Sequence, residues 1–390
     1  MNNRFLRYAL LSASLMVGSA PAINANIPAM AEHFSDVPLA TVEMLTTMPS
    51  LFLMLAVLLS SFIARKIGYK QTIMIGLGLA AVAGIVPLLV DNIWIILVSR
   101  GMLGFGIGLF NSLLVSMINY FYEPGQRSAM YGLQSAFEGA GGITITLIAG
   151  QLVKINWQAP FYAYLIAVPV FLVYLVLVPK PRTEDVLAVN AHKKNGEVTG
   201  HGHNLALAGN VFLLFIAAML YMTYGIKIAS LIATVGYGAP SDASFVIMFL
   251  SLGGIAAGIF FGRIIRVTKG YSATVGLAIL AVTMVLFSVS HSLILTFFGG
   301  LLSGIGFKIF MPALIDKINK SPVYNKSLAT SLLLVGFNLG AFLSPYGSMV
   351  LAAIAGKSGL PGLFLVDGVC FGILAVVTLL ITLMKGRKTA

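Results

Sequence analysis

The chain has 390 residues, 58% of them hydrophobic, with 24 basic and 12 acidic side chains and a formal net charge of +12. A soluble domain carries about 25% charged residues, whereas 9% here, at a mean hydropathy of +0.97, cannot supply a water-facing surface. This excludes a soluble globular protein and places the chain in a bilayer.

Apolar runs of about 20 residues recur, each long enough to cross a hydrocarbon core of roughly 30 Å at about 1.5 Å per residue. In chain order they predict twelve helices: Tyr8 to Met30, Val42 to Ala64, Thr72 to Val90, Ile93 to Ile118, Ala129 to Leu152, Ala159 to Val178, Leu205 to Val235, Ala243 to Ile264, Ala273 to Ser290, Leu293 to Leu314, Leu328 to Ala353 and Leu360 to Met384. The first imitates a secretory signal peptide, with Arg4 and Arg7 before an apolar run that ends in GSAPAINA. It is read as helix 1, because cleavage there would leave an odd number of helices and break the repeat described below.

Orientation follows from the basic residues. With the amino terminus cytoplasmic, inner ends and loops hold Arg4, Arg7, Arg65, Lys66, Lys70, Arg127, Lys180, Arg182, Lys193, Lys194, Arg263, Arg266, Lys269, Lys317, Lys320, Lys326, Lys385, Arg387 and Lys388, and outer loops hold only Lys154 and Lys357. This is the positive-inside pattern. It accounts for the net charge through anionic inner-leaflet lipid, without nucleic acid, since no basic cluster is interleaved with aromatics. The expected location is a bacterial cytoplasmic membrane, with both termini cytoplasmic and the protein monomeric. The single cysteine, Cys370, excludes an internal disulfide framework.

One long polar interruption, Pro179 to Asn204, separates six helices from six and reads as a cytoplasmic linker. The expected organisation is a bundle over 1–178, a linker over 179–204 and a bundle over 205–390. His201 and His203 in the linker read as solvated loop in preference to a metal site. The halves repeat at an offset of 200: LGFGIGLFN from Leu103 lies over SGIGFKIFM from Ser303, and AFEGAG from Ala136 over GFNLGA from Gly336. Gly108 therefore faces Lys308, and Glu138 faces Asn338. Two matching registers at one offset argue for a duplicated six-helix unit.

Three stretches carry a family resemblance. The loop after helix 2 reads SFIARKIGYK, where Lys66, Gly68 and Lys70 fit a glycine-acid-basic-glycine-basic signature, Tyr69 takes the next basic place and Arg65 the acidic one. Helix 4 reads SRGMLGFGIG, with Arg100 four residues before Gly104; these glycines lie inside a spanning helix, where they let backbones approach, and not in a phosphate loop. In helix 5, Ile145 and Thr146 stand in place of the glycine-proline pair of antiporters, with Gly139, Gly141 and Gly142 keeping a small-residue face. Over its full length the chain resembles the major facilitator superfamily, most nearly its proton-coupled drug and solute antiporters. The resemblance implies an all-α polytopic fold of two pseudo-symmetric six-helix bundles that rock about a central site lined by helices 1, 4, 7 and 10. Arg65, Lys66, Gly68, Tyr69 and Lys70 would form a gating loop, although Arg65 cannot make the charge contacts of the family's acid.

Ionisable residues inside a membrane mark function. Arg100, Glu138, Lys227 and Lys308 lie within helices 4, 5, 7 and 10, with Asp367 near the outer part of helix 12. Facing lipid, each would cost about 2.5–3.5 kcal/mol on insertion scales, so each is expected to face protein or water. Glu138 lies roughly 14 Å into its helix, near the midplane. A carboxyl in a low-dielectric cavity resists ionisation and a nearby cation favours it, so Glu138, with Arg100, is the candidate proton-coupling pair; a structural ion pair is the alternative. The excess positive charge of Lys227 and Lys308 favours an anionic ligand, with Glu43 placed to balance one of them. Asn24, Asn26, Asn111, Tyr224 and Asn338 complete the candidate substrate-binding set, some of them as interhelical hydrogen bonds.

The sequence thus reads as a secondary active transporter that exports a small amphipathic or anionic compound against protons by alternating access. The second reading is a symporter importing an organic anion. A lipid flippase or a transport-dead membrane sensor is the reading from another class. With no phosphate loop, nucleophile constellation or metal-ligand spacing, no enzyme activity, cofactor or metal is expected. The expected partners are a small-molecule substrate, protons and membrane lipid.

Overall fold

The computed structural model describes residues 3–191, 204–319 and 326–389. Lys193, Lys194, His201, His203 and Lys320 lie outside the described residues, as do the side chains of Arg4, Lys326, Lys385, Arg387 and Lys388. The described chain is helical, without a strand, and forms two compact units, Met1–Glu197 and Val198–Ala390.

The first unit contains α1 (Phe5–His33), α2 (Leu39–Ile67), α3 (Tyr69–Leu88), α4 (Ile93–Phe121), α5 (Pro124–Leu152) and α6 (Ala159–Leu177). The second contains α7 (Asn204–Val235), α8 (Ala243–Thr268), α9 (Ser272–Ser288), α10 (Leu293–Asn319), α11 (Lys326–Ala355) and α12 (Gly359–Thr389). Nine continuous stretches of the described residues are long and apolar enough to cross a membrane. Two of them, Pro240–Ser288 and Ala329–Met384, are each a pair of helices joined by a single tight turn. The remaining helix, Pro124–Leu152, is diluted by Gln, Ser, Glu and six glycines, which lower its hydropathy without shortening it. Exposed faces are apolar, as a lipid-facing surface requires: Val82, Trp94, Ile259 and Ile294 stand more than 60% exposed.

Sequence signals set several ends. Asn92 caps α4, its side chain accepting from the main-chain N–H groups of Trp94 and Ile95. Gly68 ends α2 and begins α3 at φ +99, a conformation that a side chain strains, so the loop signature's glycine is required by its backbone. Within α1 the stretch Ala13–Asn26 is wound more tightly than an α-helix, where Pro21 removes a donor. The same winding recurs over Ala159–Ile166, which opens on Ala159-Pro160. The expected linker also begins with structure: Thr183–Ala191 is a helix, with Glu184 and Asp185 in its first turn complementing the helix dipole and Val186 buried.

The two units repeat one packing scheme. In the first, α2 packs on α4, α1 on α5, and α3 on α4 and α6; in the second, α8 packs on α10, α7 on α11, and α9 on α10 and α12. The offset of 200 reaches individual contacts. A Cβ on Gly76 would stand 2.6 Å from the Gly106 carbonyl oxygen, and a Cβ on Gly276 2.7 Å from that of Gly306. Gly104 lies against the Pro49 main chain of α2, and Gly304 against that of Leu250 in α8. Such approaches replace side-chain packing with backbone contact, as helices in lipid commonly do.

Candidate functional site

In the first unit the polar interior is organised around Arg100. It is fully buried on α4; Nε donates to the Leu45 carbonyl of α2 and Nη2 to the Ala20 carbonyl of α1, each at 2.9 Å. Its guanidinium lies 5.0 Å from the ring centroid of Tyr164, whose hydroxyl donates to the Ser19 carbonyl at 3.0 Å. Four spanning helices therefore converge on one cation. The planar donor fork suits this task, because it reaches carbonyls on two helices while its face meets an aromatic ring. Tyr164, not among the residues singled out in the sequence, is the partner that completes the arrangement.

Glu138 lies on α5 and is half-buried. Its turn packs tightly on α1: a Cβ on Gly18 would stand 3.0 Å from the Glu138 carbonyl oxygen, and Gly141 lies against Leu15. Glu43 is buried on α2. Asn26, fully buried, donates from Nδ2 to the Trp157 carbonyl in the loop before α6 at 2.6 Å, which makes it a tie between α1 and that loop. Asn24 is buried two residues earlier, and its Oδ1 has no hydrogen-bond partner among the described residues. Asn111 is half-buried on α4.

In the loop between α2 and α3, Arg65 and Lys66 are exposed, and the Lys66 Nζ stands 4.6 Å over the Phe62 ring. Tyr69 is buried. Lys70 donates to the Leu175 carbonyl at 2.7 Å, tying the start of α3 to the end of α6. Two residues of the expected gating loop thus serve contacts inside one bundle.

In the second unit Lys227 is buried on α7, only 6% exposed, one turn beyond Tyr224. The Tyr224 ring stacks on Phe287 of α9 at 5.1 Å and 3°, and Phe287 meets Phe364 of α12 edge-on at 5.6 Å. One turn before Tyr224, Tyr221 stacks on Phe307 of α10 at 4.1 Å, and Phe307 contacts Phe337 of α11. Helical spacing thus puts a cation and two tyrosines on one stretch of α7, backed by phenylalanines from α9 and α10. Asn338, on α11, turns its amide to the Leu334 carbonyl of its own helix at 2.8 Å. Lys308 is exposed, its stem passing beside Gly254 of α8. The sequence singled out Tyr224 and Lys227 as candidates but not Tyr221 or Phe307; the spacing of Tyr221, Tyr224 and Lys227 along one face was the available signal.

A family model described as Major Facilitator Superfamily matches residues 9–345. No curated protein matches the sequence. Among solved structures, the chain is similar to a mutant of the nucleoside transporter NupG, at 11% identity and a TM-score of 0.79, covering 96% of this chain and 99% of that one. It is similar to a mutant of the peptide transporter POT in complex with sulfate, at 14% identity and a TM-score of 0.75, covering 98% of this chain and 94% of that one. A bacterial homolog of the human lysosomal transporter Spinster, in an inward-facing and unoccupied conformation, shares 15% identity with a TM-score of 0.71 over 99% of this chain and 98% of that one. At these identities the likenesses concern the fold.

Proposed function

The chain belongs to the major facilitator superfamily of transporters, and on that premise we propose that it is a proton-coupled secondary active transporter that exports a small amphipathic or anionic organic compound by alternating access. The observation that carries the substrate class is Lys227: a cation 6% exposed, on the same helical face as Tyr221 and Tyr224. In a low-dielectric interior an ammonium attracts a ligand's negative charge more strongly than it does in water, and the flanking rings suit the apolar body of an amphipathic anion. Lys308 supplies a second, more accessible cation. The half-buried Glu138 is the proposed proton carrier. Arg100 serves it by holding α1, α2, α4 and α6 in register around the carboxyl's own bundle.

Orientation in this reading follows the basic residues, with both termini cytoplasmic in a bacterial cytoplasmic membrane and the protein acting as a monomer. A second reading, proton-coupled import of an organic anion, is favoured by Ile145 and Thr146, which stand where antiporters carry glycine and proline. A flippase or transport-dead sensor would show no flux of any water-soluble solute.

The test is flux in proteoliposomes under an imposed pH gradient, with p-toluenesulfonate and succinate as anionic probes and ethidium as a cationic one. Proton-driven movement of an anion opposite to the proton supports export, and movement with the proton supports the importing reading. Ethidium flux alone would overturn the anionic assignment.

A further inference from the structure

The carboxyl group of Asp367 on α12 is fully buried, and neither of its oxygens has a hydrogen-bond partner among the described residues. Buried polar groups in native proteins are hydrogen-bonded with few exceptions, so this one calls for a physical explanation. An isolated buried carboxylate is far costlier than a neutral acid.

The surroundings are apolar. Phe364 lies one turn before Asp367 and Phe371 one turn after, both fully buried, and Phe364 joins the stack that runs through Phe287 to Tyr224. The elements packed on α12 are α9, α11, α7 and the turns Lys269–Tyr271 and Gly356–Ser358. No side chain of α9 ionises. Among the described side chains, α11 contributes Tyr346, 49% exposed, and the turns contribute Lys269, Tyr271 and Lys357, all exposed. Helix α7 presents Tyr221, Tyr224 and Lys227, and α12 itself presents Cys370. None of these hydrogen-bonds to Asp367.

The duplication supplies a comparison inside the same protein. At the offset of 200, Tyr164 lies over Phe364 and Ala167 over Asp367, and all four are fully buried. An alanine therefore satisfies packing at this place in the first unit. The carboxyl in the second is additional to what the helix contact requires.

We propose that Asp367 is a second proton-binding group of the transport cycle, carrying its proton in the conformation described here and passing it to water when α7, α9 and α12 separate enough to admit solvent. The carboxyl O–H breaks, water takes the proton, and the carboxylate recovers it on reclosure. This rests on the proton-coupled reading above and adds a site in the second unit to Glu138 in the first.

The experiment is infrared difference spectroscopy of the reconstituted wild type minus Asp367→Asn, from neutral to alkaline pH, with Asp367→Ala, the residue of the first unit, as the second variant. The expected result is a protonated-acid carbonyl stretch that shifts in heavy water, present at neutral pH and lost on alkalinisation while the amide bands persist. Absence of the band at neutral pH, or its persistence at every pH where the protein stays folded, overturns the proposal. Probe flux indifferent to the pH gradient in the wild type, with the band behaving as expected, would instead sink the coupling reading and leave Asp367 a proton site without a transport role.

Discussion

Arg100 reaches 2.9 Å from the main-chain carbonyl of Leu45 through Nε, and at the matching place in the second unit Gly300 lies beside the main-chain carbonyl of Val246. One position thus joins α4 to α2 through a charged hydrogen bond in one half, and α10 to α8 through bare backbone contact in the other. The glycine needs no partner. The arginine needs all of its partners, because each charge-assisted bond contributes about 1.5–3 kcal/mol and leaves an orphaned donor when lost. Arg100→Lys keeps the charge but cannot span both carbonyls or stack on Tyr164. It is expected to lower stability by about 1.5–3 kcal/mol, and Arg100→Leu by more, measured as thermal melting in detergent. Melting unchanged in both would contradict the structural role.

The glycine contacts predict a contrast among substitutions of identical chemistry. Gly104→Ala and Gly304→Ala drive a methyl into the backbones of Pro49 and Leu250, an overpacking that typically costs about 1–3 kcal/mol. Gly132→Ala, on α5 with nothing within 4 Å of the new Cβ, should stabilise by up to about 1 kcal/mol through helix propensity. Equal effects of the three on melting would refute the close approach.

Lys269, at the end of α8, has a φ of +47, where glycine is at ease and lysine is strained. Lys269→Gly should therefore raise stability by about 1–3 kcal/mol, the usual cost of such a conformation. A lower melting temperature would show that the Lys269 side chain outweighs its backbone.

For substrate, burial ranks the two candidate lysines. Lys227→Gln is expected to raise the KM for an anionic probe by about tenfold or more, at about 1.4 kcal/mol per factor of ten, and the exposed Lys308→Gln by less. The reverse order would move the binding centre from α7 to α10.

Much of the fold was legible because it rests on many residues acting alike. Apolar runs mark helices, and the register that lays Leu103 over Ser303 reappears as the paired contacts of Gly76 with Gly106 and Gly276 with Gly306. The site was less legible because its partners are largely main-chain atoms. Arg100 binds the carbonyls of Leu45 and Ala20, and Asn26 that of Trp157; a carbonyl belongs to every residue and leaves no mark in a sequence. The helix Thr183–Ala191 was hidden by the polar composition around it, with Val186 buried to anchor it. Asp367 was visible as a charge within helix 12, but that its oxygens meet no hydrogen-bond partner among the described residues is a property of three-dimensional packing.

The most direct measurement is charge movement in proteoliposomes at several pH values for the wild type and Glu138→Gln, with p-toluenesulfonate, succinate and ethidium as probes. The account predicts an anion-dependent, pH-dependent current that the substitution abolishes while the protein remains folded. Currents carried only by ethidium, or an anion current indifferent to Glu138→Gln, would contradict it.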